Sequence, residues 1–134
     1  MAGSSLSLAR LARATSVHVA FAFVAMGGWA LFANRTHGAA AVAPALAQGA
    51  LSGMITLALK RALEALAARL SGPIAYIAPP LITASVILTL LVGVHSLIGT
   101  PEIAATIAVP WGVSSLYAIL YNAALARGRD GRRS

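Results

Sequence analysis

The stretch "LAQGALSGMITLALKRALEAL", residues 46–66, decides the fold because its character changes along one continuous helical pattern. It begins as an apolar run of small residues with a single amide, Gln48, and turns basic at Lys60 and Arg61. No turn residue separates the basic pair from the apolar run, so one helix should pass through both. Such a helix belongs either to the core of a water-soluble bundle or to a membrane protein.

The composition of the chain favours the membrane. Of its 134 residues, 59% are hydrophobic and 10% are charged, whereas soluble domains average roughly 45–50% apolar and about 25% charged residues. A soluble protein of this size has too much surface to cover with so few charges. The net charge of +7 does not indicate nucleic acid as a partner, because the basic residues lie at the ends of apolar runs, where they can contact lipid headgroups.

Four apolar stretches predict an all-α membrane protein. Each is close to the ~20 residues that a helix needs to cross about 30 Å of hydrocarbon, and helices are expected because lipid offers the backbone no hydrogen-bond partners. Residues 1–15 precede the spans, a loop at 60–78 joins the second to the third, and a basic tail at 127–134, which we expect to be disordered, follows the fourth. The spans cover about 16–33, 39–59, 79–98 and 102–126.

The positions of the basic residues predict the orientation. Nine of the ten Lys and Arg residues lie before the first span, between the second and third, or after the fourth, and only Arg35 lies on the other side. By the positive-inside rule, both termini are cytoplasmic, and we expect a multi-pass protein of the bacterial inner membrane. The alternative is that the first apolar run is a cleaved signal peptide, which would leave three spans.

The second span is predicted to continue as an amphipathic cytoplasmic helix. Leucines recur at i, i+4, i+7 and i+11, which places them on one stripe, while the charged residues point away from it. Gly72 and Pro73 should end this extension. The leucines are Leu59, Leu63, Leu66 and Leu70, and the charged residues are Lys60, Arg61 and Glu64.

The two halves of the chain resemble each other. The stretch "AQGALSGMITLAL" (47–59) aligns with "PWGVSSLYAILYN" (110–122). Two similar hairpins of equal orientation would be related by an axis along the membrane normal, as in some transporters. Chance similarity between helices rich in small residues is the alternative.

Polar and aromatic residues inside the spans are candidates for a substrate groove. A buried amide such as Gln48 needs a partner, which is either another helix or a ligand in a polar cavity. Pro110 should kink the fourth span and free a carbonyl. The candidate groove residues are Gln48, Ser52, Trp111, Ser115 and Tyr117.

Three further sets of residues have predicted roles. Gly49 and Gly53 form a GxxxG pattern, which lets two helices approach closely in lipid. The cytoplasmic basic residues either anchor the helices or hold the phosphate of a lipid headgroup; the candidates for the latter are Lys60, Arg61 and Arg127. A polar cluster is expected at the outer boundary from Arg35, His37, His95 and Glu102, with Arg35 as the expected partner of Glu102.

No catalytic constellation is visible in the sequence. There is no Gly-rich phosphate loop, no HExxH motif and no pair of carboxylates within the spans. His18, His37 and His95 lie at different depths, which argues against a haem or metal site. We therefore expect neither enzymatic activity nor a metal or other cofactor.

The architecture resembles that of the GtrA-like family of small four-span membrane proteins. The resemblance rests on the cytoplasmic ends, the tiny outer loops and the matching stretches "ITLALKR" (55–61) and "ILYNAALAR" (119–127). It implies translocation of a polyprenyl-phosphate-linked sugar, and it adds Asn122 to the candidate groove. Because four helices enclose little volume, we expect a homodimer or a larger assembly. The rival interpretation is an accessory subunit that packs against a larger membrane protein.

Overall fold

The computed structural model describes the backbone of residues 2–133 and the side chains of residues 7–133. It contains four α-helices: α1 (Ala2–Ala33), α2 (Val42–Arg69), α3 (Ile74–Leu97) and α4 (Ile103–Asp130). A 3₁₀ segment, Arg35–Ala41, joins α1 to α2. We call the end of the bundle with the α1–α2 and α3–α4 connections the loop end, and the end with the α2–α3 connection and Asp130 the basic end.

All four helices are long and apolar enough to cross a membrane. Large apolar side chains cover their outward faces; Phe21 is 73% exposed and Val24 is 71% exposed. A soluble monomer rarely exposes so much apolar surface to water, whereas such a surface is favourable against lipid. The structure therefore confirms the predicted all-α fold with four candidate membrane spans.

The helices are longer than the predicted spans. The segment 1–15 is helical from Ala2 onward, and α3 starts at Ile74 and continues through Pro79 and Pro80. The expectation of a disordered tail is wrong for residues 127–130, which form the last turn of α4. The physical reason is that the tail has partners: Asp130 accepts a hydrogen bond of 2.8 Å from Tyr76 Oη, and the backbone N–H of Gly131 closes the helix on the Arg127 carbonyl.

The helix α2 is the centre of the bundle. It packs against α1, α3 and α4, while α1 meets α4 but, in the part of the chain that the structure describes, not α3. Leu59 and Leu63 from the predicted stripe are buried, so α2 stays in the bundle beyond Lys60. The core cluster consists of Leu51, Ile55, Leu59, Leu63, Ile87, Leu91, Ile107 and Ala118.

Two glycines let α1 and α2 approach each other closely. A Cβ atom added at Gly49 would lie 2.9 Å from the Phe23 carbonyl oxygen, and one added at Gly27 would lie 2.9 Å from the Ala45 carbonyl oxygen. Both distances are too short for real atoms. Gly53, the other glycine of the pattern, lies beside the side chain of Val19 at 3.3 Å.

Candidate functional site

A buried chain of polar side chains joins α2 to α3. His95 Nε2 lies 2.9 Å from Gln48 Oε1, and Gln48 Nε2 donates to Ser52 Oγ at 2.9 Å. On its other side, His95 Nδ1 lies 2.7 Å from Thr100 Oγ1. Gln48 and His95 have no exposed surface. Buried polar groups in lipid need such partners, because an unpaired group costs several kcal/mol there.

The contacts of Gln48 indicate which ring nitrogen of His95 carries the proton. Because the Gln48 amide nitrogen donates to Ser52, its oxygen must accept from His95 Nε2–H. The other ring nitrogen then accepts from the hydroxyl of Thr100. The arrangement satisfies a neutral imidazole and ties two helices together, and both polar atoms of Gln48 have a partner within the protein.

Single and double substitutions should show that Gln48 and His95 are coupled. We expect Gln48→Leu and His95→Leu each to lower the free energy of unfolding by about 1–2 kcal/mol, since each leaves one buried partner unsatisfied. The double variant should cost less than the sum, because neither residue of the pair is then left buried without the other, and only the hydroxyls of Ser52 and Thr100 lose a partner. Equilibrium unfolding in mixed detergent micelles measures all three. Strict additivity of the two single effects would show that the pair does not interact.

A second network ties α1 to α4 at the loop end. Asn34 Oδ1 accepts the backbone N–H of Glu102 at 3.0 Å, and Asn34 Nδ2 donates to Thr106 Oγ1 at 2.7 Å. Trp29 Nε1 also reaches across, donating to the carbonyl of Ala105 at 2.9 Å. Asn34 thereby supplies the cap at the start of α4 that the helix lacks from its own side chains.

The structure divides the predicted outer cluster into separate pairs. His37 Nε2 lies 2.9 Å from Glu102 Oε1, whereas His95 belongs to the buried network with Gln48. The expected Arg35–Glu102 pair does not form. Instead, Arg35 donates to the Phe32 carbonyl at 2.9 Å and lies 4.0 Å above the Phe32 ring. Glu102 does not pair with Arg35 because its carboxylate already pairs with the imidazole of His37.

Near the basic end, Asn122 bridges α4 and α3 at a double proline. Pro79 and Pro80 have no N–H, so the carbonyls of Ala75 and Tyr76 lose their partners four residues ahead in the helix. Asn122 Nδ2 donates to these two oxygens, at 2.8 Å and 3.1 Å. Asn122 is fully buried, so its amide replaces the two backbone bonds in a place that excludes solvent.

The other predicted groove residues do not line one cavity with Asn122. Gln48 lies toward the loop end beside His95, while Asn122 lies toward the basic end beside Ala75. Trp111 donates to the carbonyl of Ala84 on α3 at 3.0 Å, and Tyr117 is outward-facing and stacks on a neighbouring tyrosine. Two buried atoms, Ser115 Oγ and Asn122 Oδ1, have no hydrogen-bond partner among the described residues.

A groove of about 450 Å³ opens between α2 and α4 at the basic end. Arg129 and Arg132 line it together with Tyr121, whose hydroxyl donates to Glu64 Oε1 at 2.6 Å. Lys60, Arg61 and Arg127, the predicted headgroup contacts, are exposed at the same end but are not among the residues that line this groove.

Sequence reasoning missed Asn34, Thr100 and Thr106, because all three lie at or near short connections where polar residues are ordinarily exposed. Among the described residues, no group of three or more His, Cys, Asp or Glu side chains is placed to hold a metal ion. No protein family matches the chain, and neither a curated protein nor a solved structure matches it.

Proposed function

We propose that this chain is a small multi-pass protein of the bacterial inner membrane that translocates an amphiphile with an anionic headgroup, in particular a polyprenyl-phosphate-linked sugar. The proposal is based on the charge distribution: an apolar four-helix bundle carries nine of its ten Lys and Arg residues at one end. In this proposal that end and both termini face the cytoplasm.

Few of the cations at the basic end have a carboxylate partner in the part of the chain that the structure describes. Within residues 7–133, Lys60 is the only Lys or Arg with a carboxylate at ion-pairing distance, 3.9 Å from Glu64. The other carboxylate there, Asp130, accepts from the hydroxyl of Tyr76. Free guanidinium groups beside a membrane attract phosphate headgroups, each by about 1 kcal/mol.

The same proposal includes the pairing of the helices as two hairpins and the role of the end of α2. The α1–α2 and α3–α4 pairs act as two similar hairpins, and the last turns of α2 form an amphipathic extension whose basic side chains, Lys60 and Arg61, face the headgroups. The resemblance to GtrA-like proteins supports the choice of a lipid-linked sugar. Because a single bundle buries Gln48 and Asn122 completely, a path for the substrate would lie at a contact between copies of the chain.

A flipping assay with purified protein in liposomes tests the proposal. A fluorescent polyprenyl-phosphate sugar is placed in both leaflets, and a membrane-impermeant quencher is added outside. We expect the protein to make nearly all of the fluorescence accessible, whereas protein-free liposomes should protect the inner leaflet. Protection that is unchanged by the protein, for every lipid-linked sugar tried, would contradict transport.

A second candidate function is that of an accessory subunit in a larger membrane complex. One observation favours it: the buried polar side chains Gln48, His95 and Asn122 join helices instead of lining a path. Such a unit presents a fixed apolar surface to a partner. Extraction in mild detergent at native expression distinguishes the two functions. An accessory subunit should co-purify with one larger protein, whereas a translocator should elute as a homo-oligomer.

A further inference from the structure

We infer that the groove between α2 and α4 is the binding site for the phosphate headgroup of a membrane lipid, with Arg129 and Arg132 as the phosphate contacts. This inference rests on the proposed function and moves its headgroup site from the three predicted contacts to Arg129 and Arg132. The sequence pointed to Lys60, Arg61 and Arg127, whose side chains are not part of the groove.

The size of the groove suits a headgroup. Its volume is about 450 Å³, within the range of sites for small molecules. Four of the residues that line the groove are small, and they leave space between the larger side chains of α2 and α4. These residues are Ala67, Ala68, Ala124 and Gly128.

The two arginines have donors to spare. Arg129 Nη2 makes a long contact of 3.4 Å to the Ala68 carbonyl, and Arg132 Nε donates to the Gly128 carbonyl at 3.1 Å. A guanidinium has several N–H donors in a planar fork that matches phosphate. Each guanidinium group therefore contacts one backbone carbonyl and keeps its other N–H donors free for an anion.

The one acid in the groove is already occupied. Glu64 accepts from Tyr121 Oη at 2.6 Å and lies 3.9 Å from Lys60 Nζ. Lys60 lies outside the groove, and within it the two arginines outnumber Glu64, so the groove has a net positive charge. Charge complementarity points to an anionic occupant.

The surroundings indicate that this anion carries an apolar chain. On α4, Leu125 and Tyr121 line the groove one turn apart on the same face, in the direction of the middle of the helix. Tyr121 stacks on Tyr117 with ring centroids 5.4 Å apart, which extends a flat apolar surface in the same direction. A phosphate in the groove would thus have its lipid tail beside this face, so we commit to a lipid headgroup over free phosphate.

Binding to nanodiscs tests the site with the full chain. The probe is a polyprenyl phosphate at low density in phosphatidylcholine, and the controls are the uncharged polyprenol of equal length, phosphatidylglycerol at the same density, and inorganic phosphate in solution. We expect Arg129→Gln/Arg132→Gln to weaken polyprenyl phosphate binding about tenfold. The matched variant Arg61→Gln/Arg127→Gln removes the same charge outside the groove and should weaken it less than about threefold.

A variant that should tighten binding controls for losses that are caused by misfolding. Glu64→Gln keeps an acceptor for Tyr121 but removes the negative charge from the groove, so it should tighten polyprenyl phosphate binding roughly two- to fivefold. Loss of a fold does not produce tighter binding. Equal losses in the two arginine pairs, or no gain in Glu64→Gln, would overturn the groove as the headgroup site.

The remaining outcomes separate this inference from the proposed function. Flipping that persists in Arg129→Gln/Arg132→Gln with unchanged affinity would support transport and refute the site. Selective binding to polyprenyl phosphate without any flipping would support the site and refute transport. Equal binding of phosphatidylglycerol would support a site for lipid phosphate and refute selectivity for polyprenyl phosphate, whereas displacement of the lipid by millimolar inorganic phosphate would overturn a lipid as the occupant.

Discussion

Replacing Asn122 by leucine is expected to lower the free energy of unfolding by about 2–3 kcal/mol. The substitution leaves the carbonyls of Ala75 and Tyr76 without a donor in a buried place, and each unsatisfied group costs about 1–3 kcal/mol. No backbone N–H can take over, because positions 79 and 80 are prolines. Unfolding in mixed micelles, followed by circular dichroism, measures the loss.

The prolines themselves provide the matched control. In the variant Pro79→Ala/Pro80→Ala, the restored N–H groups can bond to the two carbonyls within α3. Asn122→Leu should then cost less than about 1 kcal/mol in that background, since the amide is no longer needed. A penalty that is equally large with and without the prolines would show that Asn122 acts in some other way.

Placing a side chain at Gly49 should also disrupt the bundle. We expect Gly49→Val to cost about 3 kcal/mol, because its Cβ would lie 2.9 Å from the backbone oxygen of Phe23 and would push α1 away from α2. Gly27 lies on α1 at the same close contact between α1 and α2, so a valine at this position should lower the stability by a similar amount. A backbone atom cannot swing aside as a flexible side chain does, so little of the strain can relax.

Gly28 is the control for this prediction. It follows Gly27 in α1, but a Cβ atom added there meets nothing within 4 Å. Gly28→Val should therefore change the unfolding free energy by less than about 0.5 kcal/mol. If the Gly28 and Gly49 variants lost equal stability, intrinsic helix preference and not contact between α1 and α2 would be responsible.

The helices of this protein follow from its sequence, because apolar stretches of about 20 residues have few alternatives in lipid. The GxxxG pattern likewise drew attention to Gly49. Its partner across the helix pair, Gly27, was not identifiable, because the face that a glycine presents depends on how the two helices cross. Adjacent Gly27 and Gly28 look equivalent in the sequence and have opposite surroundings in the fold.

The partners of the buried polar residues were the least predictable part. The sequence showed that Gln48 needed a partner, but His95 is 47 positions away and the outer boundary offered several other candidates. Asn122 entered through a family resemblance, whereas its contact with the proline-freed carbonyls of α3 depends on tertiary structure. The groove at Arg129 and Arg132 depends in addition on the continuation of α4 to Asp130, which the predicted span of 102–126 did not include.

The bond between Asn34 and Glu102 has a consequence for biosynthesis. Asn34 is synthesised directly after the first helix, yet the N–H that donates to it is 68 positions further along the chain. While the ribosome is still making the middle helices, that amide side chain has no permanent partner across the bundle. The pairing of Asn34 is therefore complete only after the last helix has been made, although α1 can already pack on α2, and a nascent chain cut short before Glu102 would leave this amide oxygen without its partner.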